Sequence, residues 1–113
     1  MGHVEIVSTL LRSQARINIE DSDRRTPLHH ATIKGRYDVV QMLLAPPSST
    51  SEKANISAPD SLRYTPLHHA ALVGHTKIMQ LLLDNHANPE ARSSDSETPL
   101  HLAVEHPEAV KIL

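Results

Sequence analysis

The tetrapeptide Thr-Pro-Leu-His occurs three times in this chain of 113 residues, starting at Thr26, Thr65 and Thr98. The apolar blocks EIVSTLL, DVVQMLL and KIMQLLL precede these copies. The next copy starts 15 residues after the first and third blocks end, but 21 residues after the second. The period is therefore 33 residues, with six extra residues inserted once. A fixed period of this length indicates stacked units that bury their apolar faces against one another.

Each repeat predicts a pair of short helices. In TPLHHA the Thr hydroxyl caps a helix, and the Pro fits the first helical position, where its missing N–H costs nothing. A glycine follows the first helix in two repeats and allows a left-handed turn. Helices this short are marginal alone in water, so packing on the neighbouring repeat must hold them. The predicted first helices span residues 27–34 and 66–73, and the second helices span residues 36–44 and 76–83.

The composition agrees with thin layers. Tyr37 and Tyr64 are the only aromatic residues, whereas a compact core of this size usually relies on such side chains. The net charge of -2 comes without a basic run, which argues against nucleic acid or a membrane as partner. The chain has no cysteine, which excludes disulfides and thiolate zinc sites. No signal peptide is recognisable, so we expect an intracellular location, cytoplasmic or nuclear.

These motifs resemble the ankyrin repeat, whose signature is T-P-L-H-x-A on a 33-residue period. The segments TPLHHA, TPLHLA, GHVEIVSTLL and GRYDVVQMLL carry the resemblance in register along nearly the whole chain. It implies an all-α solenoid of stacked helix-turn-helix units with short β-hairpin loops, called fingers. It also implies a function in binding other proteins through the fingertips and the concave face of the first helices.

The resemblance also implies a single domain over residues 1–113. Neither end carries a polar cap, so we expect a monomeric segment of a longer array. The expected parts are a partial repeat over 1–20 (a second helix), a full repeat over 21–59 with the six-residue insertion in the loop 45–60, a full repeat over 60–92, and a partial or C-terminal repeat over 93–113.

The chain departs from the ankyrin pattern at its glycines. Arg24, Arg63 and Ser96 stand two residues before the Thr, where ankyrin fingers usually turn on glycine, and Gln14 and His86 replace the glycine after the second helix. A non-glycine residue with positive φ costs on the order of 1 kcal/mol. We therefore expect looser or differently turned fingers. The last repeat also lacks its inter-helix glycine, and its turn, EHPE, is shorter.

Nine histidines raise the question of a metal or catalytic site. His29, His68 and His101 are equivalent residues on stacked helices roughly 8–10 Å apart, too far to share one zinc at about 2.1 Å per bond. The adjacent His30 and His69 leave the helix on another face. The serine-rich stretches lack a nucleophile turn, and the glycines form no phosphate loop. We therefore predict no metal or cofactor site, no catalytic residue and no enzyme activity.

The resemblance implies a structural role for the histidine of the motif. One ring nitrogen pairs with the capping Thr, and the other serves a backbone group of the finger or of the next repeat. Such rings are expected to be buried and neutral, so stability should fall as the pH drops through roughly 6. The implied pairs are Thr26 with His29, Thr65 with His68, and Thr98 with His101.

The resemblance places the partner contacts on finger residues before each Thr and on the exposed end of each first helix. Several of these positions are apolar, and such patches often mark binding sites. Two alternatives stay open: the insertion covers these residues, or this section is a structural spacer without a ligand of its own. The predicted contacts are Asp23, Arg25, Ile33, Lys34, Leu62, Tyr64, Leu72, Val73, Asp95 and Glu97, with Glu105 and His106 beside them.

Two further features concern the partner, whose identity the sequence does not give. The insertion is rich in Pro and Ser, which predicts a mobile loop, and Ser48, Ser49, Thr50 and Ser51 are candidates for phosphorylation beside the docking surface. A tolerated insertion without regulation is the alternative. The charged residues around two fingers favour a partner with some basic character, since their sums are negative: -1 for Glu20, Asp21, Asp23, Arg24 and Arg25, and -2 for Glu90, Arg92, Asp95 and Glu97.

Overall fold

The computed structural model describes residues 17–45 and 54–113, which contain six helices in three pairs. The first helix of each pair stacks in an inner layer, and the second helix of each pair stacks in an outer layer. The predicted solenoid of helix-turn-helix units is confirmed, although no strand forms in the described residues. The pairs are α1 (Pro27–Ile33) with α2 (Tyr37–Leu44), α3 (Pro66–Val73) with α4 (Thr76–Asp84), and α5 (Pro99–Leu102) with α6 (Pro107–Ile112).

The inner helices begin at the Pro of the motif because the preceding Thr caps them. Thr26 and Thr65 have extended backbone, and their hydroxyls accept the backbone N–H groups of His29 and His68 at 3.4 Å. The bounds differ from the sequence prediction by one residue at three helix ends, which is ordinary end fraying.

The core lies between the two layers and is aliphatic. The outer helices bury Val40, Leu43, Met79 and Leu82, and the inner helices add small alanines that let the helices approach closely. Leu28 and Leu67, the leucines of the first two motifs, are fully buried, whereas Leu100 of the third is 46% exposed. The same motif residue is therefore a core residue only where another helix pair packs over it.

Three tight turns precede the inner helices and are called finger 1 (residues 21–25), finger 2 (60–64) and finger 3 (93–97). In each, the first residue donates its N–H to the carbonyl of the last, at 2.9–3.0 Å. Neighbouring fingers are also linked: Ser61 N–H donates to Asp23 C=O, and Ser94 N–H donates to Leu62 C=O, both at 2.9 Å. The fingers therefore form one continuous row.

The fourth residue of each finger forms its corner in the left-handed region. Arg24, Arg63 and Ser96 have φ values of 60°, 62° and 61°. The fingers thus keep the turn expected of glycine instead of turning differently, and the side chains there carry a steric cost of roughly 1–2 kcal/mol each. His86, after α4, is also left-handed with φ of 71°.

The last helix pair is shortened, and Pro107 explains where its turn lies. The ring of a proline disfavours helical backbone in the residue before it, and His106 accordingly has φ of -127° and ψ of 88°. Helix α5 therefore ends at Leu102, and α6 starts again at Pro107. None of the described helices is long and apolar enough to cross a membrane.

Candidate functional site

The histidine of each Thr-Pro-Leu-His motif joins a helix cap to the following finger. His29 Nδ1 accepts the Thr26 N–H at 3.1 Å, and its Nε2 donates to Tyr64 C=O at 2.9 Å. In the next repeat, His68 Nε2 donates to Glu97 C=O at 2.8 Å. Because an amide N–H only donates and a carbonyl only accepts, these bonds fix a neutral ring with its proton on Nε2.

Burial reinforces the neutral state of these two rings. Both side chains are fully buried, and this desolvation lowers the pKa of His29 and of His68, against the opposing effect of the carbonyls of Tyr64 and Glu97. A second proton on Nδ1 would also point at the N–H of the capping Thr. The rings therefore act as fixed hydrogen-bonding parts, not as proton carriers at neutral pH.

His101 has the local half of this arrangement. Its Nδ1 lies 3.0 Å from Thr98 N and 2.8 Å from Thr98 Oγ1, while the ring is exposed. Within residues 17–45 and 54–113 its Nε2 has no hydrogen-bond partner. The motif histidine is thus a cap wherever it occurs, and a link only where a finger lies beyond it.

A second pair of histidines binds the aspartate that opens its own finger. His30 Nε2 lies 2.8 Å from Asp21 Oδ2, and His69 Nε2 lies 2.8 Å from Asp60 Oδ2. Asp60 Oδ1 accepts the N–H groups of Leu62 and Tyr64 at 3.0 and 2.9 Å, and Asp21 Oδ1 does the same in finger 1. The carboxylate therefore shapes the finger and fastens it to the inner helix.

These contacts were not predicted from the sequence, although the sequence contains a signal for them. Asp21, Asp60 and Ser93 all stand five residues before a motif Thr, and Ser93 Oγ replaces the carboxylate by accepting two N–H groups in finger 3. The third repeat has Leu102 where the others have their second histidine. A carboxylate at the first position thus occurs with a histidine at the second, and the serine occurs with a leucine.

Finger 2 brings together a buried polar cluster of His29, Asp60 and His69. One ligand atom from each lies within 4.8 Å of the other two, and the two rings meet edge to face with centroids 5.7 Å apart. Both nitrogens of His29 are already bonded to backbone groups. Arg25 Nε lies 3.6 Å from Asp60 Oδ2, where its charge opposes a metal ion. The geometry fits a hydrogen-bonded cluster better than a metal-ligand set.

The charges within this cluster are distributed unequally. Burial alone would raise the pKa of Asp60, but hydrogen bonds from His69 and from the N–H groups of Tyr64 and Leu62 outweigh it and lower the pKa. Burial lowers the pKa of His69 despite its bond to Asp60. Asp60 is therefore ionised beside a neutral histidine, and Arg25 supplies the compensating charge.

Tyr64 was predicted as a partner contact but is partly built into the fold. Its ring stacks on His68 at 5.4 Å and 9°, and meets the edge of His69 at 5.4 Å. Its hydroxyl donates to Glu97 Oε1 at 3.3 Å, and burial, followed by the Glu97 carboxylate, raises its pKa. Tyr64 therefore bridges fingers 2 and 3 with a half-buried side chain.

The comparison with protein families agrees with this geometry. The family model described as ankyrin repeats (3 copies) matches residues 1–56 and residues 48–113. The chain belongs to the ankyrin repeat family. Ankyrin repeats are in general protein–protein interaction modules and are typically non-catalytic. A protein-binding function requires surfaces that the ankyrin repeats leave exposed.

The exposed apolar residues of the predicted contact set lie at the two ends of α3. Leu62 on finger 2 is 54% exposed, and Leu72 and Val73 at the far end of α3 are 45% and 42% exposed. Since a helix rises about 1.5 Å per residue, α3 separates these groups by about 10 Å. They form two apolar spots along one inner helix, with the half-buried Tyr64 near the first.

The remaining predicted contacts surround these spots. Asp23, Lys34 and Asp95 are exposed, whereas Arg25, Ile33 and Glu97 are partly buried. Glu105 is exposed and His106 is partly buried, with its Nε2 donating to Leu72 C=O at 3.0 Å. Residues 46–53 of the insertion, with the candidate phosphorylation sites Ser48, Ser49, Thr50 and Ser51, lie outside the described residues.

The outer layer carries a different surface. A shallow, open groove runs between α2 and α4, lined by Tyr37, Lys77, Gln80, Leu81 and Asp84. Tyr37 is 39% exposed there. This groove lies among the outer helices, away from the fingers, and so offers a matched comparison for any test of the inner surface.

Proposed function

We propose that this ankyrin segment binds a partner protein through its finger row and the exposed ends of its inner helices. The observation that carries the proposal is the exposure of Leu62, Leu72 and Val73. The positions equivalent to Leu62 hold the charged Asp23 and Asp95, so the fold does not require an apolar residue there. Exposed apolar side chains grouped in this way favour contact with another protein.

The surroundings of these spots suit an interface. Protein interfaces combine an apolar centre with a polar, solvent-accessible rim, and the charged side chains of Asp23, Lys34 and Asp95 lie beyond the apolar residues along the repeats. No catalytic residue is proposed. An intracellular site of action stays a prediction.

Rigidity supports the same function. The bonds from His29 to Tyr64 C=O and from His68 to Glu97 C=O hold each finger against the preceding helix cap. A surface that is already ordered before binding loses less conformational freedom when the partner docks. The polar network beneath the fingers therefore favours recognition without touching the partner itself.

The test replaces Leu62, Leu72 and Val73 together by serine and compares retention of proteins from a cell extract. The control variant is Tyr37→Ser, which removes an exposed apolar side chain from the outer groove. The proposal is supported if the parent and the control both retain a protein of which the triple variant retains at least about tenfold less. Tyr64 is left intact because its half-buried ring supports fingers 2 and 3.

The spacer alternative predicts a different outcome. If the parent retains no protein above the level of the triple variant, while circular dichroism and melting temperature show both to be folded, the segment has no ligand on this surface. Loss of a protein in the Tyr37→Ser control alone would instead assign the binding to the outer groove.

A further inference from the structure

Fingers 1 and 2 each present an arginine at the corner of the turn. Arg24 and Arg63 are exposed and have φ of 60° and 62°. Glycine at these corners would carry no steric cost, whereas an arginine costs roughly 1–2 kcal/mol. Left-handed backbone at non-glycine residues clusters at functional sites. The two corners are therefore candidates for a contact that uses the arginine side chains.

The fold presents these arginines in a row. The hydrogen bond of 2.9 Å between Ser61 N–H and Asp23 C=O holds fingers 1 and 2 side by side. Arg24 and Arg63 occupy equivalent places in repeats whose inner helices pack against each other, and packed helices lie about 8–10 Å apart. Two exposed arginine side chains thus start from the corners of adjacent fingers.

Little within the described part of the chain neutralises these charges. Arg63 makes no ion pair there, and Arg24 Nε lies 3.7 Å from Glu20 Oε1 with both side chains well exposed. An exposed pair of this kind contributes at most about 1 kcal/mol. Asp21 and Asp60, at the bases of the two fingers, are bonded to histidines and to backbone N–H groups.

Finger 3 is more acidic than fingers 1 and 2. The formal charges sum to 0 in finger 1 (21–25), to 0 in finger 2 (60–64) and to -2 in finger 3 (93–97). The corner of finger 3 is Ser96, between Asp95 and Glu97. A long polyanion lying across all three fingers would be repelled at the third, whereas a short acidic segment fits over the first two.

We propose that Arg24 and Arg63 form a two-point site for an acidic segment of the partner protein. The segment lies across fingers 1 and 2 with carboxylates on both guanidinium groups, which suit carboxylates because their planar fork donates two parallel hydrogen bonds. Finger 3 then faces a neutral or basic part of the same partner. This inference rests on the proposed function and gives the partner a chemical character and a direction along the repeats.

The test uses hexaglutamate as the probe and NMR of the ¹⁵N-labelled full chain at low ionic strength. The expected result is that amide shifts concentrate in residues 22–25 and 61–64. The double variant Arg24→Gly with Arg63→Gly removes both charges and both strained corners. It should weaken the Kd for hexaglutamate about three- to thirtyfold, since two exposed ion pairs together contribute at most about 2 kcal/mol, while its melting temperature is no lower than that of the parent.

Two further variants separate charge from strain. Arg24→Gln with Arg63→Gln loses the charges and keeps the left-handed corners, so the Kd should weaken equally while the melting temperature stays at the parent value. Lys77→Gln with Lys111→Gln removes the same net charge from the outer helices and should leave the Kd within about twofold of the parent.

Several outcomes would overturn the proposal. These are an absence of amide shifts on fingers 1 and 2, unchanged affinity in the glycine pair, or an equal loss of affinity in the lysine pair. A lower melting temperature in the glycine pair would overturn the argument from strain. If the protein retained through Leu62, Leu72 and Val73 is retained by both arginine variants, the proposed function stands and the acidic site falls.

Discussion

His68 Nε2 donates a hydrogen bond of 2.8 Å to the backbone carbonyl of Glu97, which lies 29 residues further along the chain. The same ring accepts the N–H of Thr65 through Nδ1 at 3.1 Å. A single buried imidazole thus caps helix α3 and holds finger 3 in place. The Thr65 N–H has its described partner in this ring, whereas the Glu97 C=O also accepts the Ser93 N–H at 2.9 Å.

This relationship predicts different costs for the same substitution in two repeats. His68→Ala leaves the Thr65 N–H unpaired, removes one hydrogen bond from the Glu97 C=O and opens a cavity, so it should lower the free energy of unfolding by about 2–4 kcal/mol. His101→Ala removes only the local bond to Thr98 from an exposed ring and should cost about 1 kcal/mol. Urea unfolding of both variants measures the difference. Equal costs would show that the link to finger 3 contributes nothing.

The neutral histidines predict a fall in stability on mild acidification. Burial lowers the pKa of His29, His68 and His69 below the ordinary value of 6.5. Above about pH 6.5 these rings are neutral in both folded and unfolded chains, and their contribution is complete. As the pH falls below 6.5, the histidines bind protons in the unfolded chain but not in the folded chain. The free energy of unfolding therefore decreases, by at most about 1.4 kcal/mol per pH unit for each ring.

The measurement is urea unfolding at several pH values between 7.5 and 5. The lowered pKa values of Asp21 and Asp60 affect stability only below about 3.8, so this window isolates the histidines. His68→Gln serves as the control, since it removes one titrating ring and should give a shallower decrease. A free energy of unfolding that does not change across the window contradicts the neutral, buried state of these rings.

The fold was predictable because its determinants are local and repeated. Each Thr-Pro pair starts an inner helix, and each following apolar block marks an outer helix whose one face is buried, as in Val39, Val40, Leu43 and Leu44 of α2. The period then fixes which helices stack. The predicted irregularity of the last repeat lies in helix α5, which ends at Leu102, whereas the turn before Pro107 is longer than in the other two repeats.

The site was less predictable because its contacts depend on how each finger folds back. The spacing of four residues between Tyr64 and His68 gave no indication that their rings stack, so Tyr64 was predicted as an exposed contact. His69 pairs with Asp60, which lies nine residues earlier in the chain, only because finger 2 folds back towards helix α3. The absence of glycine at the finger corners also suggested a different turn. The sequence shows that left-handed backbone is costly at these residues, but it does not show the hydrogen bonds that impose this backbone.

The left-handed residue after α4 predicts a stabilising substitution away from the proposed interface. His86 is exposed with φ of 71°, so His86→Gly removes the steric cost of a side chain there. After allowance for the greater freedom of glycine in the unfolded chain, we expect a gain of about 0.5–1 kcal/mol, which raises the melting temperature by a few degrees. His86→Ala is the control, since it keeps a Cβ and the strain, and should give no such gain by calorimetry.

Gly74 and His106 predict an energetic coupling between two adjacent repeats. A Cβ on Gly74 would lie 2.7 Å from His106 Nδ1 and 2.9 Å from its Cγ, and Gly74 has φ of +79°. Gly74→Ala should therefore cost about 2–4 kcal/mol, from left-handed strain and from displacement of the ring. His106→Ala alone loses only the bond to Leu72 C=O and should cost about 1 kcal/mol.

The double variant avoids the clash and keeps the strain, so its cost should be about 1–2 kcal/mol less than the sum of the two single costs. Unfolding of all four proteins in urea gives this coupling energy, and strict additivity would mean that the histidine ring moves aside freely and does not hold the two repeats in register.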